Sequence, residues 1–557
     1  MKKKKVIAVL LVASTLMLSG CDKNAVPSGS AKTQSDSAEN NGQENGELQD
    51  AAENGQETDN TGDANVSGDA GETADAAASA ETVSSDNPNY LSYPGEKYTW
   101  NEITINIPEN WADKYIIEED EDGFSIYHKA SDEKEKGYGY LCSVRRSAQW
   151  MNYGIGEKLL AYTDDGTLYY MIQPTDVTGY MDDEQVFAEF SSLAEDVPML
   201  ATSIEINASN CHYDAEQYMI PVSNILPITR EDLVNMSDNE LWIARNEIFA
   251  RHGRKFLNDY LQNYFDSCSW YVPVEDKVDE GLLNQIEKDN LDLIIAMEEE
   301  FAAEHPYPKE YQTGKTVKED IDGDGSANSI MYQVAWQGED YGFNTILTID
   351  NTEYNLNEYV YMDTPVDDVF YITDLEEDIG EMKSTDGYEI AVLDLGPSYD
   401  PITYFFKYDG DLHYIGEVNG FPFKEQSNGV CGFIHYGGIV NRLRMDMIET
   451  TYLNGYSWYN SSEGTIETSD GGLRSYQGYK AHNLYVDLPV YFDMDEKSPT
   501  RTITAGQTVY FLESDMEEWI LLRAKDGTSG YIRVQDGNVL NVGASADEVF
   551  SDLDYFD

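Results

Sequence analysis

The clearest candidate for chemistry in this sequence is a loop with carboxylates at alternate positions. The stretch EDIDGDGSANSI, residues 319–330, has three aspartates two residues apart and a glycine at the turn. Oxygen ligands at this spacing suit a hard cation of the size of calcium. The candidate ligands are Asp320, Asp322, Asp324, the carbonyl of Ser326, and Asn328. We expect a structural calcium site, because the ion would cancel the repulsion among three close carboxylates. The alternative is an acidic turn that holds no ion.

A second candidate is a cluster of cations around a histidine in a strongly acidic chain. The stretch ARNEIFARHGRKF, residues 244–256, holds four cations, whereas the formal net charge of the chain is −68. Arg251 and His252 are the candidate binding residues, and Trp270 and Tyr271 can cover them, with the arginine stacked on an aromatic face. We favour a structural cluster over a ligand-binding surface. Catalysis ranks last, since a general base needs a nucleophile or an orienting acid and the sequence proposes neither.

Local signals place this cluster at the end of a short helix. Ser237 and Glu240 have the spacing of a capping box, in which each side chain accepts a hydrogen bond from the other residue's amide. Gly253 supplies the left-handed position that ends many helices. Positive charge in the last turn is favoured by the helix macrodipole. The end of the helix and its macrodipole therefore explain why Arg251 and His252 lie here, and no bound substrate is required.

One cysteine and one histidine allow an enzymatic interpretation. Cys431 lies in GVCGFIHYGG, and His482 follows it in the C-terminal part of the chain. Wall-hydrolysing cysteine peptidases use such a pair, but their usual Asp-Cys-Ser-Gly signature is absent, and the flanking Val430 and Phe433 favour a strand. The sequence also lacks GxSxG, HExxH and P-loop motifs. We therefore expect a protein that is not an enzyme.

The chain begins with the pattern of a secretory signal. Lysines at positions 2–5 precede an apolar run over residues 6–17, and the quartet LSGC ends at Cys21. This quartet resembles the lipobox of bacterial lipoproteins, which implies cleavage before Cys21 and lipidation of its sulfur. The alternative is an ordinary secretory signal in which Cys21 has no special role. The apolar run is too short to span a membrane. We expect the protein on the extracellular face of the cell membrane, held there by its lipid anchor.

Residues 22–89 have the composition of a tether. The segment is rich in Gly, Ser, Ala, Asn, Asp and Glu, and it contains no aromatic residue. It cannot bury enough apolar surface to offset its conformational entropy, so we expect it to be disordered. As a flexible coil of about 70 residues it would span roughly 45 Å, and repulsion among its acids would extend it further.

The acidity of the chain excludes one class of partner. The chain has 104 acidic and 36 basic residues. Nucleic-acid phosphates are bound by clustered lysine and arginine, so we expect no nucleic-acid binding. The charge favours neutral, cationic or metal-ion partners.

The periodicity of the remaining chain predicts a multidomain α+β protein. Residues 90–207 alternate apolar and polar side chains before a helical stretch, which predicts an α+β domain. Residues 225–305 change to a period of about 3.6 and predict a small helical domain. Residues 307–449 return to strands around the aspartate loop. Residues 481–542 read as five short strands, which predict a compact β-barrel.

The helical domain resembles the YARHG domain of bacterial surface proteins. Its motif is IFARHG, which ends at Gly253 and has Phe249 where the family name has tyrosine. Asn246 and Glu247 precede the motif, and the SWYVP stretch that contains Trp270 follows at the expected distance. The resemblance implies an extracellular module. It supplies no mechanism, because the family has no established biochemical activity.

Two further resemblances concern the β segments. The aspartate loop is similar to the hairpin calcium loops of FG-GAP and related extracellular repeats, since Met331 occupies the position of the bidentate acid of an EF-hand. The C-terminal segment resembles bacterial SH3-like domains, and DGTSGYI matches their closing motif. That resemblance implies a module that holds wall peptide or glycan with aromatic side chains. The candidate contacts are Tyr491, Trp519 and Tyr531. The alternative is that these rings form barrel core or a domain-docking face.

These features predict noncatalytic binding at the cell envelope, with peptidoglycan or another wall polymer as the ligand. One alternative is an envelope cysteine hydrolase that uses Cys431 and His482. Another is a scaffold or sensor whose partner is a second exported protein.

Overall fold

The described part of the chain is a multidomain α+β structure with a helical region between groups of β-sheets. The computed structural model describes residues 87–150, 156–304, 307–338, 342–375, 387–396, 400–423, 432–434, 438–469 and 471–555. The predicted signal peptide, Cys21, most of the predicted tether and Cys431 lie outside these residues. None of the helices within these ranges is both long and apolar enough to cross a membrane.

Residues 95–212 form two antiparallel sheets with two helices. The smaller sheet contains β1 (Gly95–Trp100), β2 (Ile103–Pro108) and β8 (Glu205–Ile206). The larger sheet has the spatial order β3-β4-β5-β7-β6-β9. Its strands are β3 (Tyr115–Glu119), β4 (Gly123–His128), β5 (Tyr140–Ser147), β6 (Glu157–Thr163), β7 (Leu168–Ile172) and β9 (Cys211–His212). The helices are α1 (Lys129–Lys134) and α2 (Glu184–Thr202). Helix α2 buries Phe190, Leu193 and Val197 in a core shared with Trp111, as its helical spacing predicts.

Residues 230–304 form the predicted helical region. Its helices are α3 (Arg230–Leu233), α4 (Asp238–Arg251), α5 (Asp259–Asp266) and α6 (Gln285–Glu304). The predicted capping box is present at the start of α4. The Ser237 amide donates to the Glu240 carboxylate at 2.8 Å, and the Glu240 amide donates to the Ser237 hydroxyl at 3.3 Å. After α4 the chain turns at Gly253, whose φ of +78° confirms the predicted left-handed position.

The following β region is built from two sheets that share one core. The first has the order β10-β15-β16-β17-β18 and the second the order β11-β12-β13-β14. The strands are β10 (Lys309–Gln312), β11 (Val317–Glu319), β12 (Asn328–Trp336), β13 (Phe343–Ile349), β14 (Thr352–Asn355), β15 (Val369–Thr373), β16 (Glu389–Asp394), β17 (Ile402–Tyr408) and β18 (Leu412–Asn419). Tyr332 and Leu347 from the second sheet pack with Phe370 and Phe406 from the first, so the inner faces of both sheets are apolar.

A four-stranded sheet crosses residue 449, where the β-rich domain was expected to end. Its strands are β19 (Gly432–Ile434), β20 (Gly438–Asp446), β21 (Thr450–Asn460) and β22 (Thr465–Thr468). Ile439 of β20 is buried with Phe405 and Val418 of the preceding sheet. Met445 of β20 and Leu453 of β21 are instead buried in the C-terminal core. The long β20–β21 hairpin therefore joins the middle β region to the C-terminal region.

The C-terminal strands do not form the predicted closed barrel. They form a nine-stranded sheet in which β25 pairs with β29, and the described strands at its two ends do not pair with each other. The elements are β23 (Arg474–Ser475), β24 (Ala481–Asn483), β25 (Leu488–Tyr491), β26 (Thr500–Ile503), β27 (Thr508–Ser514), β28 (Trp519–Ala524), β29 (Ser529–Gln535), β30 (Asn538–Val539), β31 (Ala544–Ser545) and α7 (Ala546–Val549).

Other chain segments cover one edge of this sheet. Single bridges join Tyr476 to Leu453 of β21 and Leu484 to Phe550 after α7. A sheet edge covered in this way needs no closure to protect its backbone groups. The prediction of a barrel was wrong because it considered the segment without its neighbours.

Substitution of Gly253 tests how closely the chain packs after α4. A Cβ atom there would lie 2.8 Å from Cγ2 of Val274 and 3.1 Å from the carbonyl oxygen of Val272. Gly314 has a similar φ of +69°, but a Cβ atom there would meet no atom within 4 Å. We expect Gly314→Ala to cost about 1 kcal/mol through its conformation alone, and Gly253→Ala to cost more. Thermal unfolding of the two variants compares them, and equal melting temperatures would contradict the close packing.

Candidate functional site

The motif around His252 is organised by a carboxylate that is completely buried. Glu247 has no exposed surface. Its side chain accepts hydrogen bonds from the amides of Met219 at 2.6 Å and Ile220 at 3.2 Å, and it lies 3.4 Å from Arg251. Burial raises the pKa of Glu247, while the Arg251 guanidinium and the two amides oppose that rise. Glu247 therefore fastens the chain that precedes the helices to the middle of α4.

Arg251 holds the same loop through its backbone carbonyls. Its guanidinium donates to the carbonyl of Ile220 at 3.1 Å and to that of Pro221 at 3.0 Å. It also lies 4.1 Å from the centre of the Tyr218 ring and 5.8 Å from that of Trp270. Stacking of arginine on an aromatic ring is thus present, as the sequence predicts. The nearer ring is Tyr218, which the sequence interpretation missed because it precedes the predicted helical domain.

Tyr271, which the sequence suggested could cover Arg251 and His252, contacts the turn after α4. Its hydroxyl donates to the carbonyl of Arg254 at 2.6 Å, and its ring is buried beside Phe265. Tyr271 therefore stabilises the turn after α4 from inside, and its ring is not available as an exposed contact surface.

His252 has the orienting acid that the sequence did not propose. Its Nε2 lies 2.9 Å from Oε1 of Glu287 at the start of α6. Glu287 is almost completely buried, and its second oxygen accepts the amide of Asn284 at 2.8 Å. This arrangement joins the end of α4 to the beginning of α6. A histidine oriented by a carboxylate, which is one part of a general-base site, is therefore present. Among the described residues, however, Glu287 is the only hydrogen-bond partner of the His252 side chain.

A serine, a histidine and a glutamate form a second network, inside the N-terminal α+β region. Nδ1 of His128 lies 2.9 Å from the Ser131 hydroxyl, and Nε2 lies 3.0 Å from Glu189. This order of groups is that of a catalytic triad. Both Ser131 and His128 are completely buried, and the serine oxygen already accepts the amide of Tyr180 at 3.2 Å. The network therefore supports packing between β4, α1 and α2.

His482 is also completely buried. Its Nδ1 lies 2.9 Å from the carbonyl oxygen of Ser551, its ring stacks on Phe511, and its Nε2 is 3.6 Å from Oε1 of Glu449. Its proposed partner Cys431 lies outside the described residues. The surroundings of His482 are those of a packed core histidine.

The three aspartates of the predicted calcium loop come together. Asp320, Asp322 and Asp324 each present an oxygen within 4.8 Å of the others, and they are the only such carboxylate, histidine or cysteine group found in the described part of the chain. One oxygen of Asp320 accepts the amide of Gly325 at 2.9 Å. The other oxygen of Asp320 is buried and has no hydrogen-bond partner. A cation at this point would satisfy that oxygen, so the donor set fits calcium.

Asn328 fastens this loop to a neighbouring hairpin. Its amide oxygen accepts the Ile321 amide at 3.1 Å, and its amide nitrogen donates to Asp350 at 2.8 Å. The oxygen that was predicted to bind the ion is therefore engaged with the backbone. Asp350 also accepts the amide of Ser329 at 2.8 Å. Asp350 could not be found from the loop sequence, because it belongs to the turn between β13 and β14. The carbonyl of Ser326 remains a predicted ligand.

The three predicted wall-binding aromatics meet on the C-terminal sheet. Tyr491 and Tyr531 are directly opposite each other on β25 and β29. Trp519 lies edge-on to Tyr491 with ring centres 5.7 Å apart, and it is only 8% exposed. Burial raises the pKa of Tyr531. Tyr491 and Tyr531 are partly exposed, so they are the rings that a ligand could reach, while Trp519 supports them.

Two cations of the C-terminal sheet bind the end of α5. Arg523 donates to the carbonyl of Ser267 at 3.2 and 3.0 Å. Lys525 donates to the carbonyl of Asp266 at 2.7 Å and to that of Cys268 at 2.8 Å. Burial lowers the pKa of Lys525. The last carbonyls of a helix lack partners within the helix and carry partial negative charge. These contacts therefore hold the helical region against the C-terminal sheet.

Glu247→Gln tests whether the buried carboxylate stabilises the loop before the helices. The glutamine side chain keeps the shape of glutamate but lacks the charge that faces Arg251. Its NH2 group would also direct a donor at a backbone amide that needs an acceptor. We expect a loss of about 3 kcal/mol, together with faster hydrogen exchange at Met219 and Ile220. As a control, Glu300→Gln removes an exposed pair with Arg230 and should cost less than about 1 kcal/mol. Equal effects of both changes would contradict the anchoring role of Glu247.

Asp322→Ala tests calcium binding at the aspartate loop. Because an ion that binds only the folded state stabilises it, calcium should raise the melting temperature of the parent protein and leave that of Asp322→Ala unchanged. Asp292→Ala, at an exposed site on α6, is the matched control and should keep the full response. An unchanged calcium response in Asp322→Ala would show that the ion binds elsewhere.

Comparison with known proteins identifies one part of the chain. Residues 216–299 match the model of the YARHG domain. No curated protein and no solved structure matches the chain. The match begins before the predicted boundary at residue 225, and it includes the loop that Glu247 and Arg251 hold. The region that contains the His252 motif is therefore a YARHG domain.

Proposed function

We propose that this protein is an exported lipoprotein that binds a cell-wall polymer without catalysing a reaction. The observation that carries the proposal is the pair Tyr491 and Tyr531, placed opposite each other on one face of the C-terminal sheet above Trp519. Partly exposed, rigid rings at neighbouring positions can stack on sugar or peptide groups at a low entropic cost. The ligand in this proposal is peptidoglycan or another wall polymer.

The C-terminal sheet is proposed to be an SH3-like module, although it does not close into a barrel. Support comes from the β28–β29 hairpin, whose DGTSGYI sequence is that of the closing motif in SH3-like domains. In its turn Gly527 has a φ of +92°, and the Asp526 carboxylate accepts the amide of Thr528 at 2.9 Å. Tyr531 is the third residue of the strand that follows this turn.

The described end of the predicted tether fits this role. Asn89, the last residue of the predicted tether, accepts hydrogen bonds from Arg501 of β26 at 2.6 Å and from the amide of Ser529 of β29 at 3.2 Å. The tether would therefore reach the folded chain beside the strand that carries Tyr531. With Cys21 lipidated, a tether that behaves as a flexible coil would place this sheet roughly 45 Å or more from the membrane.

Calcium is proposed as a structural ion of the aspartate loop, in the manner of FG-GAP-like hairpins. The support is the cluster of Asp320, Asp322 and Asp324 with its unpartnered buried oxygen. The loop and the candidate wall-binding rings belong to separate sheets, so the ion would stabilise the β region without contacting the polymer.

The alternative of a cysteine hydrolase has less support. It requires His482 to reach both Cys431 and a substrate, whereas the His482 ring is stacked on Phe511 with no exposed atom. The test is Cys431→Ala. If the parent protein degrades purified wall and this variant does not, the hydrolase replaces the binding proposal.

A scaffold or sensor is the remaining alternative, and exposed apolar side chains in the YARHG domain favour it. Leu257, Val272 and Val274 are each more than half exposed. Crosslinking on intact cells separates the two proposals, because a protein partner gives an adduct that survives digestion of the wall.

Co-sedimentation of the ectodomain with purified sacculi tests wall binding. The parent protein should sediment with the sacculi. Tyr491→Ala combined with Tyr531→Ala should weaken binding about tenfold or more, since each ring contributes roughly 1 kcal/mol or more to such a contact. Tyr485→Ala is the matched control, because this tyrosine is 59% exposed and lies outside β25 and β29. Failure of the parent protein to sediment, with or without calcium, would overturn the proposal.

A further inference from the structure

A second pair of exposed aromatic rings lies on β21, outside the C-terminal sheet. Tyr456 is 43% exposed and Trp458 is 40% exposed, whereas Gly455 and Ser457 beside them are buried. Because side chains alternate along a strand, the two rings project from the same face, at Cα positions about 6.8 Å apart. Neighbouring rings on one face form a surface on which a ligand can stack. We name Tyr456 and Trp458 the second ring pair.

A polar group borders the second ring pair. Glu467 of β22 lies directly opposite Trp458, and its carboxylate accepts a hydrogen bond from Nδ2 of Asn460 at 2.6 Å. On the other side of Trp458, the directly opposite residue of β20 is Gly438. A sugar has apolar C–H faces and hydroxyl groups at its edges. An aromatic ring with a carboxylate on one side and a glycine on the other therefore suits a sugar.

Glu513 links this surface to the proposed wall-binding rings. The residues that lie directly opposite one another on β27, β28, β29 and β25 are Glu513, Leu521, Tyr531 and Tyr491. Side chains at such positions lie on one face of a sheet, and strands about 4.8 Å apart place the Cα of Glu513 about 10 Å from that of Tyr531. Burial raises the pKa of Tyr531 and of Tyr456, and the negative charge of Glu513 adds to the rise in both. Glu513 therefore lies near the second ring pair and near Tyr491 and Tyr531, which we name the first ring pair.

The carboxylate of Glu513 is available to a ligand. The residue is partly buried, and burial raises its pKa. In the described part of the chain, neither a cation nor a hydrogen-bond donor opposes that rise. A partly buried carboxylate that has lost water without gaining a donor is unfavourable. A ligand that brings a hydroxyl or amino group to Glu513 would therefore be stabilised there.

The charge of this surface disfavours a polymer that contains phosphate. Glu513 and Glu467 are acidic, and two arginines on the same face of the C-terminal sheet are already engaged. Arg523 donates to a backbone carbonyl at 3.0 Å, and Arg533 is paired with Glu518 at 2.6 Å. Phosphate groups are usually bound by lysine or arginine that is free to pair with them. A chain of neutral or amine-bearing sugars is not repelled by the two carboxylates.

We propose that the second ring pair is a further subsite for the wall polymer, and that one extended glycan chain without phosphate lies across both ring pairs. Glu513 accepts a hydrogen bond from a sugar that lies between the pairs, and Glu467 accepts one from the sugar stacked on Trp458. The inference rests on the proposed wall binding, because the first ring pair holds part of the same chain. It narrows the ligand from a wall polymer in general to the glycan of the wall.

Co-sedimentation of the ectodomain with purified sacculi tests the second ring pair. Tyr456→Ala combined with Trp458→Ala should weaken binding about tenfold, as loss of the first ring pair should. Trp458→Ala alone should weaken it several-fold, and thermal unfolding checks that the variants are folded. The matched control is Trp336→Ala combined with Tyr361→Ala, because these rings are 58% and 79% exposed and lie in the preceding β region.

The same assay separates failure of this inference from failure of wall binding. If the parent protein sediments and loss of the second ring pair has no more effect than the control, the inference alone is overturned. If the parent protein does not sediment, wall binding and the inference are overturned together.

Calorimetric titration with glycan strands tests the class of ligand. The strands are prepared from sacculi by removal of phosphate polymers with acid and of peptides with an amidase, and they are separated into disaccharides and longer chains. The parent protein should bind the longer chains at least tenfold more tightly than the disaccharide. Loss of the second ring pair should abolish this gain. Binding that requires the phosphate polymers or the peptides, or a gain that survives loss of the second ring pair, would contradict the inference.

Glu513→Gln tests the carboxylate near both ring pairs. Glutamine keeps the size of the side chain but replaces a charged acceptor with a neutral one, so the affinity for the longer chains should fall several-fold. Glu517→Gln neutralises an exposed acid on the turn that follows β27 and should leave the affinity unchanged. Equal affinities of these two variants would overturn the path of the chain across Glu513.

Discussion

The helical centre of this protein depends on one buried carboxylate. Glu247 has no contact with solvent, and burial of a charged group is costly unless hydrogen bonds and an opposite charge offset it. Two backbone amides and Arg251 supply that compensation. Because the amides belong to Met219 and Ile220, the acid can be satisfied only when the preceding loop lies against α4. The YARHG motif therefore fixes a loop to a helix, and its charged residues Glu247 and Arg251 stabilise the folded structure.

Cationic side chains, which are scarce in this acidic chain, stabilise contacts between parts of the fold elsewhere as well. Arg251, Arg523 and Lys525 all donate to backbone carbonyls at places where separate parts of the fold meet. At the end of α5 these carbonyls have no partners within the helix, so Arg523 and Lys525 satisfy them and also balance their partial charge. Docking of the YARHG domain on the C-terminal sheet consequently depends on hydrogen bonds to specific carbonyls, and apolar contacts such as that between Tyr264 and Tyr479 surround them.

Histidines beside carboxylates recur in this structure, and burial decides what each pair can do. His128 and His482 are completely enclosed, whereas His252 keeps about a quarter of its side chain exposed. A proton-transfer group must reach a substrate, so the first two pairs serve packing.

The sequence by itself determined the local elements. The capping box at Ser237, the turn at Gly253, the helix that buries Phe190 and the approach of Asp320, Asp322 and Asp324 all follow from spacing over a few residues. Such features depend on contacts between near neighbours, which a sequence displays directly. The match of residues 216–299 to the YARHG domain follows from the same local pattern.

Only the tertiary structure decided which distant groups meet. Glu287 reaches His252, Asp350 reaches Asn328 and Tyr218 stacks under Arg251 across separations that no periodicity encodes. The open C-terminal sheet was missed for the same reason, since its edge is covered by residues outside the segment that predicted a barrel. Burial likewise cannot be read from residue type, because an aromatic ring such as Trp519 can face either solvent or core. These outcomes depend on long-range packing, in which each contact is fixed by the rest of the folded chain.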